Sequence, residues 1–146
     1  MALGASPSSG LGHPVDQAAP VVAVDCNGAD RGPAEVAAGA ALAAARGVRV
    51  VLFGPAAELG EPAANVEVVD APVSIAKSDD PVSAARRTAE ASIVQATKAV
   101  AAGRAQALVC AGGTGAALAA GLFNIKRMHG IYRPALALPL PLPRGR

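Results

Sequence analysis

Val21-Val22-Ala23-Val24-Asp25-Cys26-Asn27-Gly28-Ala29-Asp30-Arg31-Gly32-Pro33 is the stretch whose reading decides the fold. A β-branched run of strand length ends on an aspartate, passes through a cluster of turn formers and meets a proline that opens an Ala-rich segment. Proline is preset to a helical φ and lacks only an amide that a first turn leaves unbonded anyway. Pro33 therefore predicts a helix start, and Gly47 after Arg46 predicts its stop. The unit reads as strand, loop, helix.

The same unit recurs along the chain. Val48 to Phe53 and Val66 to Val69 are apolar runs without period-two alternation, which predicts strands buried on both faces. Asp80 as N-cap with Pro81 behind it predicts a long helix to Ala102, stopped by Gly103. Ala107 to Cys110 reads as a fourth strand, Gly112-Gly113-Thr114-Gly115 as a turn into a helix reaching about Met128, and Ala135 to Leu138 as a fifth strand. Buried-type strands alternating with helices predict an α/β fold, a parallel sheet flanked by helices in three layers, Rossmann-like. Residues 1–19 read as a disordered leader, 20–138 as the α/β domain and 139–146 as a Pro-rich tail.

With 146 residues, 52% hydrophobic and 16% charged, the chain is too apolar for a disordered tail and short for two domains. Since 37 residues are Ala, the core is thin. All eleven acids and six bases fall in residues 1–90, whereas 91–146 holds seven bases and no acid. The second part can attract anions: phosphate esters, acidic carrier proteins or anionic lipid heads. Duplex nucleic acid is disfavoured, because the bases are not clustered and no recognition motif accompanies them. Cys26 and Cys110 form no CxxC pair, and no secretory h-region opens the sequence, so a cytoplasmic location is expected. His13 and His129 make no metal motif with one another, and neither metal nor cofactor is expected.

Ligands of open parallel sheets bind in the loops at the carboxyl ends of strands. Two loops here fit. The first carries Asp25, Gly28 and Asp30; the second, Gly112, Gly113, Thr114, Gly115 and Ala116, opens a helix whose free amides and dipole suit a phosphate or an oxyanion. A Gly-rich strand-to-helix turn is equally a plain tight turn, and both readings stand on composition alone. Arg86 and Arg87 either add positive charge to such a site or form a solvated helix face. Cys26 and Cys110 read as small buried fillers before nucleophiles or ligands.

Taken together, these segments resemble the PlsX family, the phosphate acyltransferases that move a fatty acyl group from acyl carrier protein to inorganic phosphate. Asp25-Cys26-Asn27-Gly28-Ala29-Asp30-Arg31-Gly32-Pro33 is similar to the family's D-A-M-G-G-D-x-x-P, and Val109-Cys110-Ala111-Gly112-Gly113-Thr114-Gly115-Ala116 to its V-S-A-G-N-T-G-A. Gly130-Ile131-Tyr132-Arg133-Pro134-Ala135-Leu136-Ala137 resembles G-I-x-R-P-A-L-A. Asp79-Asp80-Pro81, Ala85-Arg86-Arg87 and Ser92-Ile93 resemble the D-x-P and A-x-R-x-K-x-S-S-I region. Departures are Gly113 for the family's Asn, Asn27 and Ala29 for its Met and second Gly, and Thr88-Ala89-Glu90-Ala91 for a Lys-rich stretch.

The resemblance covers residues 20–138, about the family's first half. It implies a truncated version of a fold similar to that of isopropylmalate dehydrogenase, with the half that completes the site and the dimer contacts missing. It also implies acyl carrier protein and inorganic phosphate as partners, a homodimer, and room for peripheral membrane association. On this reading the amides of Gly112 to Ala116 hold phosphate or the oxyanion, Arg86 adds charge, and Asp25 and Asp30 shape the first loop. The alternative is an inactive truncated paralogue, or a binding subunit of a full-length homologue.

Overall fold

The structure, a computed structural model, describes residues 19–133 and Ala137. Among the described residues nine elements follow one another: β1 (Val21–Asp25), α1 (Pro33–Ala44), β2 (Arg49–Gly54), α2 (Ala56–Leu59), β3 (Val66–Asp70), α3 (Pro81–Arg87), α4 (Ser92–Ala101), β4 (Ala107–Cys110) and α5 (Thr114–Asn124). The strands form one sheet in the order β3-β2-β1-β4, and every pairing is parallel. The α/β architecture expected from the alternating runs is the observed one.

Side chains of the inner strands β1 and β2 alternate between two apolar layers. The edge strands β3 and β4 bury no residue fully and expose Glu67 and Val109, so the run Val66 to Val69, expected to be buried on both faces, is not. Val24, Cys26, Val50 and Leu52 pack with Ala40 of α1 and Leu59 of α2 on one face. Ala23, Val51 and Phe53 pack with Ala96 and Ala99 of α4 on the other. Ala119 and Ala120 of α5 join Ile93, Val94 and Ala85 in a further cluster on that second face. Alanines let these helices lie close to the sheet and to each other, and Phe53, 2% exposed, supplies the bulk they lack. Burying that ring is worth roughly 1.5–3 kcal/mol.

The helix expected from Pro81 to Ala102 is two helices. Thr88 leaves helical geometry at φ −110°, ψ 76°, and α4 starts afresh at Ser92. The cause lies outside the segment. Ser92 donates its backbone N–H to Val73 O at 3.0 Å and its hydroxyl to Asp25 Oδ1 at 2.6 Å, bonds that a continuous helix through residues 88–91 does not provide for. α5 also ends sooner than Met128, because Lys126 adopts a left-handed φ of 71° and its N–H turns back to Gly121 O. The single turn of α2 after Pro55 was not anticipated. Residues 1–18, most of the fifth strand expected at Ala135 to Leu138, and the tail at 139–146 lie outside the described residues.

Candidate functional site

Chain order and sheet order diverge at one place. From β1 the chain steps outward to β2 and β3, then crosses back so that β4 lies on the other side of β1. The loops after β1 and β4 lead to α1 and α5 on opposite faces of the sheet. Open parallel sheets bind their ligands at the carboxyl end beside such a reversal. Asp25 and Cys110, the last residues of their strands, are register partners there.

Asp25, 2% exposed, is turned inward. Its Oδ1 accepts from the Ser92 hydroxyl at 2.6 Å and from Asn27 N–H at 3.3 Å, and its Oδ2 accepts from the Cys110 thiol at 3.4 Å. Asn27 Nδ2 donates to Ser92 Oγ at 3.0 Å and to Ala71 O at 2.9 Å, while Gly112 N–H donates to Cys110 Sγ at 3.3 Å. One buried network thus ties the β1 loop, the segment after β3, the start of α4 and the β4 loop together. Every group in it is partnered, as a buried polar cluster requires.

Burial raises the Asp25 carboxyl above its ordinary 3.8, and the hydrogen bonds from Ser92, Asn27 and Cys110 only partly oppose it. Such a carboxyl holds its proton more tightly folded than unfolded. Its favourable contribution is complete below the unfolded value and is lost as pH rises through the folded one. Asp25→Asn keeps an Oδ1 acceptor for Ser92 and Asn27 but cannot ionise. Urea denaturation at a series of pH values upward from the ordinary carboxylate range is expected to show wild-type stability falling relative to that of the variant as pH rises. Parallel pH profiles for the two proteins would contradict this.

The two cysteines are not brought together. Cys26 packs against α1 and α2, whereas Cys110 sits with the α4 and α5 cluster across the sheet. Burial pushes the Cys26 thiol up to about 12 and that of Cys110 up to about 11, with the Asp25 charge adding to both. Both stay protonated near neutrality, which suits filler roles and not nucleophiles.

Gly28 and Gly113, one from each loop, both meet Ala76. A Cβ on Gly28, where φ is +80°, would fall 2.2 Å from Ala76 Cβ, and one on Gly113 would fall 2.2 Å from Ala76 O. A Cβ on Gly112 would fall 2.6 Å from Asn27 O, and one on Gly115 would fall 2.9 Å from Pro81 Cγ. Gly28 and Gly112 therefore lie backbone to backbone, with the segment after β3 laid over them. Close packing accounts for these glycines, and Gly113 in particular leaves no room for the side chain that the PlsX motif has there.

α5 has no side-chain cap, so its first-turn amides remain for solvent or a ligand. Thr114 and Gly115 are exposed at that turn and Ala116 is buried. Asp30 is exposed and lines, with Gly28, an open cleft of about 730 Å³. Arg86 goes elsewhere. Its guanidinium lies over the Phe123 ring, 4.6 Å from the centroid, near the far end of α5 from Thr114. The charge expected from Arg86 at the Gly-rich turn is therefore not delivered there.

Asn27 and Ser92 stand in the sequence only as motif positions, and their joining of one polar network is not marked there. Ala76 lies in a segment with neither period nor motif, and nothing local marks it. Among the described residues no helix is long and apolar enough to cross a membrane. A family model described as fatty acid synthesis protein matches residues 21–146. No curated protein matches the chain.

Proposed function

Since the chain belongs to the fatty acid synthesis protein family, we propose that it moves a fatty acyl group from the thioester of acyl carrier protein to inorganic phosphate. A phosphate oxygen attacks the thioester carbonyl carbon, and the carbonyl electrons collect on oxygen. They return as the carbon–sulfur bond breaks, and the thiolate leaves and takes a proton from solvent. The products are acyl phosphate and free carrier thiol. A thiol of pKa near ~8.5 leaves without further help, and holding two reactants in place can supply roughly 7–11 kcal/mol in the best cases. No general base on the protein is called for, since phosphate is nucleophilic enough at neutral pH.

The observation that carries this reading is the uncapped start of α5, with Thr114 and Gly115 exposed, at the end of β4 beside the loop that follows β1. The amides of Thr114 and Gly115 are our choice for donors to the developing oxyanion. Docking of an acidic carrier protein suits the surface beyond α5, where Lys126 and Arg127 flank the exposed side chains of Met128 and Tyr132. The reading is tested by free thiol released from palmitoyl carrier protein, with and without phosphate. Release is expected only with phosphate, and release indifferent to phosphate would overturn it.

A further inference from the structure

Arg86 is stacked on Phe123, so a cation beside the substrate phosphate would come from another residue. Lys77 is placed to supply it. One wall of the cleft of about 730 Å³ is Gly28, Ala29 and Asp30, and Ser74, Lys77 and Ser78 stand on the β3–α3 segment facing it. Gly28, on the edge of the cleft, lies with its backbone against Gly112 of the β4 loop. Lys77 is exposed, and the ion pairs among the described residues are Arg31–Glu35 and Arg104–Glu67, so no carboxylate of that set neutralises it. Ser74 Oγ accepts from Ala76 N–H at 3.3 Å, which leaves its own O–H to donate.

We infer that this cleft seats the attacking phosphate, with Lys77 and the hydroxyls of Ser74 and Ser78 donating to its unprotonated oxygens and Asp30 accepting from its P–OH. The inference rests on the acyl-transfer reading for its meaning, but the binding can be measured without turnover. Donors on one wall and a carboxylate on the other fit a tetrahedral oxyanion that still carries a proton. A phosphodiester, such as the one on a carrier-protein arm, has no proton for Asp30 and presents fewer free oxygens to Lys77.

Equilibrium dialysis of the whole chain against inorganic phosphate, at constant ionic strength set with chloride, tests this directly. Phosphate is expected to bind the wild type, and Lys77→Met is expected to weaken it about tenfold or more, the scale of one lost charge-assisted hydrogen bond. Arg86→Met should bind as wild type does, and dimethyl phosphate should bind far more weakly than phosphate. Equal phosphate affinity in Lys77→Met and wild type, no phosphate retained by the wild type, or dimethyl phosphate binding as well as phosphate would each overturn the assignment. In the thiol-release assay, phosphate-dependent turnover with an unchanged KM for phosphate in Lys77→Met would sink this site and leave acyl transfer standing. Lys77-dependent phosphate binding without any turnover would do the reverse.

Discussion

Gly28→Ala is expected to lower the stability of the chain by about 2–5 kcal/mol, the sum of two separable costs. A left-handed φ costs a residue with a Cβ roughly 1–2 kcal/mol, and overpacking a tight contact adds about 1–3 kcal/mol. Gly28 sits at φ +80°, and its Cβ would fall 2.2 Å from Ala76 Cβ. For a chain of this size the loss would lower the melting temperature by on the order of 10 °C. Because the clashing atom is the Ala76 methyl, Ala76→Gly should recover the packing part of the loss and leave the φ strain. Gly113→Ala is a control, since its Cβ would meet the Ala76 carbonyl oxygen at 2.2 Å, an atom that Ala76→Gly does not remove. Melting curves of the single and double variants check this. Rescue of both glycine variants by Ala76→Gly, or of neither, would contradict the contact geometry.

Ser92→Ala is expected to cost about 1–3 kcal/mol, the range for a buried polar group left without its partner. The variant removes the shortest bond to the buried Asp25 carboxylate, 2.6 Å, together with the acceptor for Asn27 Nδ2 at 3.0 Å. Helix propensity opposes the effect, because alanine in the first turn of α4 is better than serine by roughly 0.5 kcal/mol or less. The lost bond is the larger quantity, so the sign is fixed. Urea denaturation at neutral pH measures it, and the same substitution made in the Asp25→Asn background isolates the coupling between Ser92 and Asp25. A loss below about 0.5 kcal/mol in the wild-type background would mean that the network contributes little.

The sheet was legible because its information is local. Val21 to Asp25 and Ala107 to Cys110 are short apolar runs ended by turn formers, and each is observed over the residues read. Pro33 and Pro81 open helices for a reason contained in proline itself. The misreadings share a different cause. Thr88 to Ala91 is compatible with helix, and what breaks it is a bond from Ser92 to a residue 67 positions earlier. Arg86 could have turned toward the loops, and an aromatic ring 37 positions later in the sequence decides otherwise.

The site was legible as an address more than as a mechanism. Gly28, Asp30 and the Gly112 to Ala116 turn do lie at the same end of the sheet, because β1 and β4 are parallel neighbours. What the glycines do there depended on Ala76, which belongs to a segment that no motif marks. A Gly-rich turn packed against another backbone and one that cradles a phosphate have the same composition. Only the third segment separates them, and it also brings Lys77 to the cleft.

The central claim, acyl transfer to phosphate at the carboxyl end of β1 and β4, is tested most directly by the identity of the product. The chain is incubated with palmitoyl carrier protein and phosphate bearing heavy oxygen, and the acyl product is weighed by mass spectrometry. Attack by a phosphate oxygen on the carbonyl carbon breaks no phosphorus–oxygen bond, so palmitoyl phosphate is expected with all of the label retained. Free palmitate as the direct product, or a carrier protein that keeps its acyl group, would contradict the account.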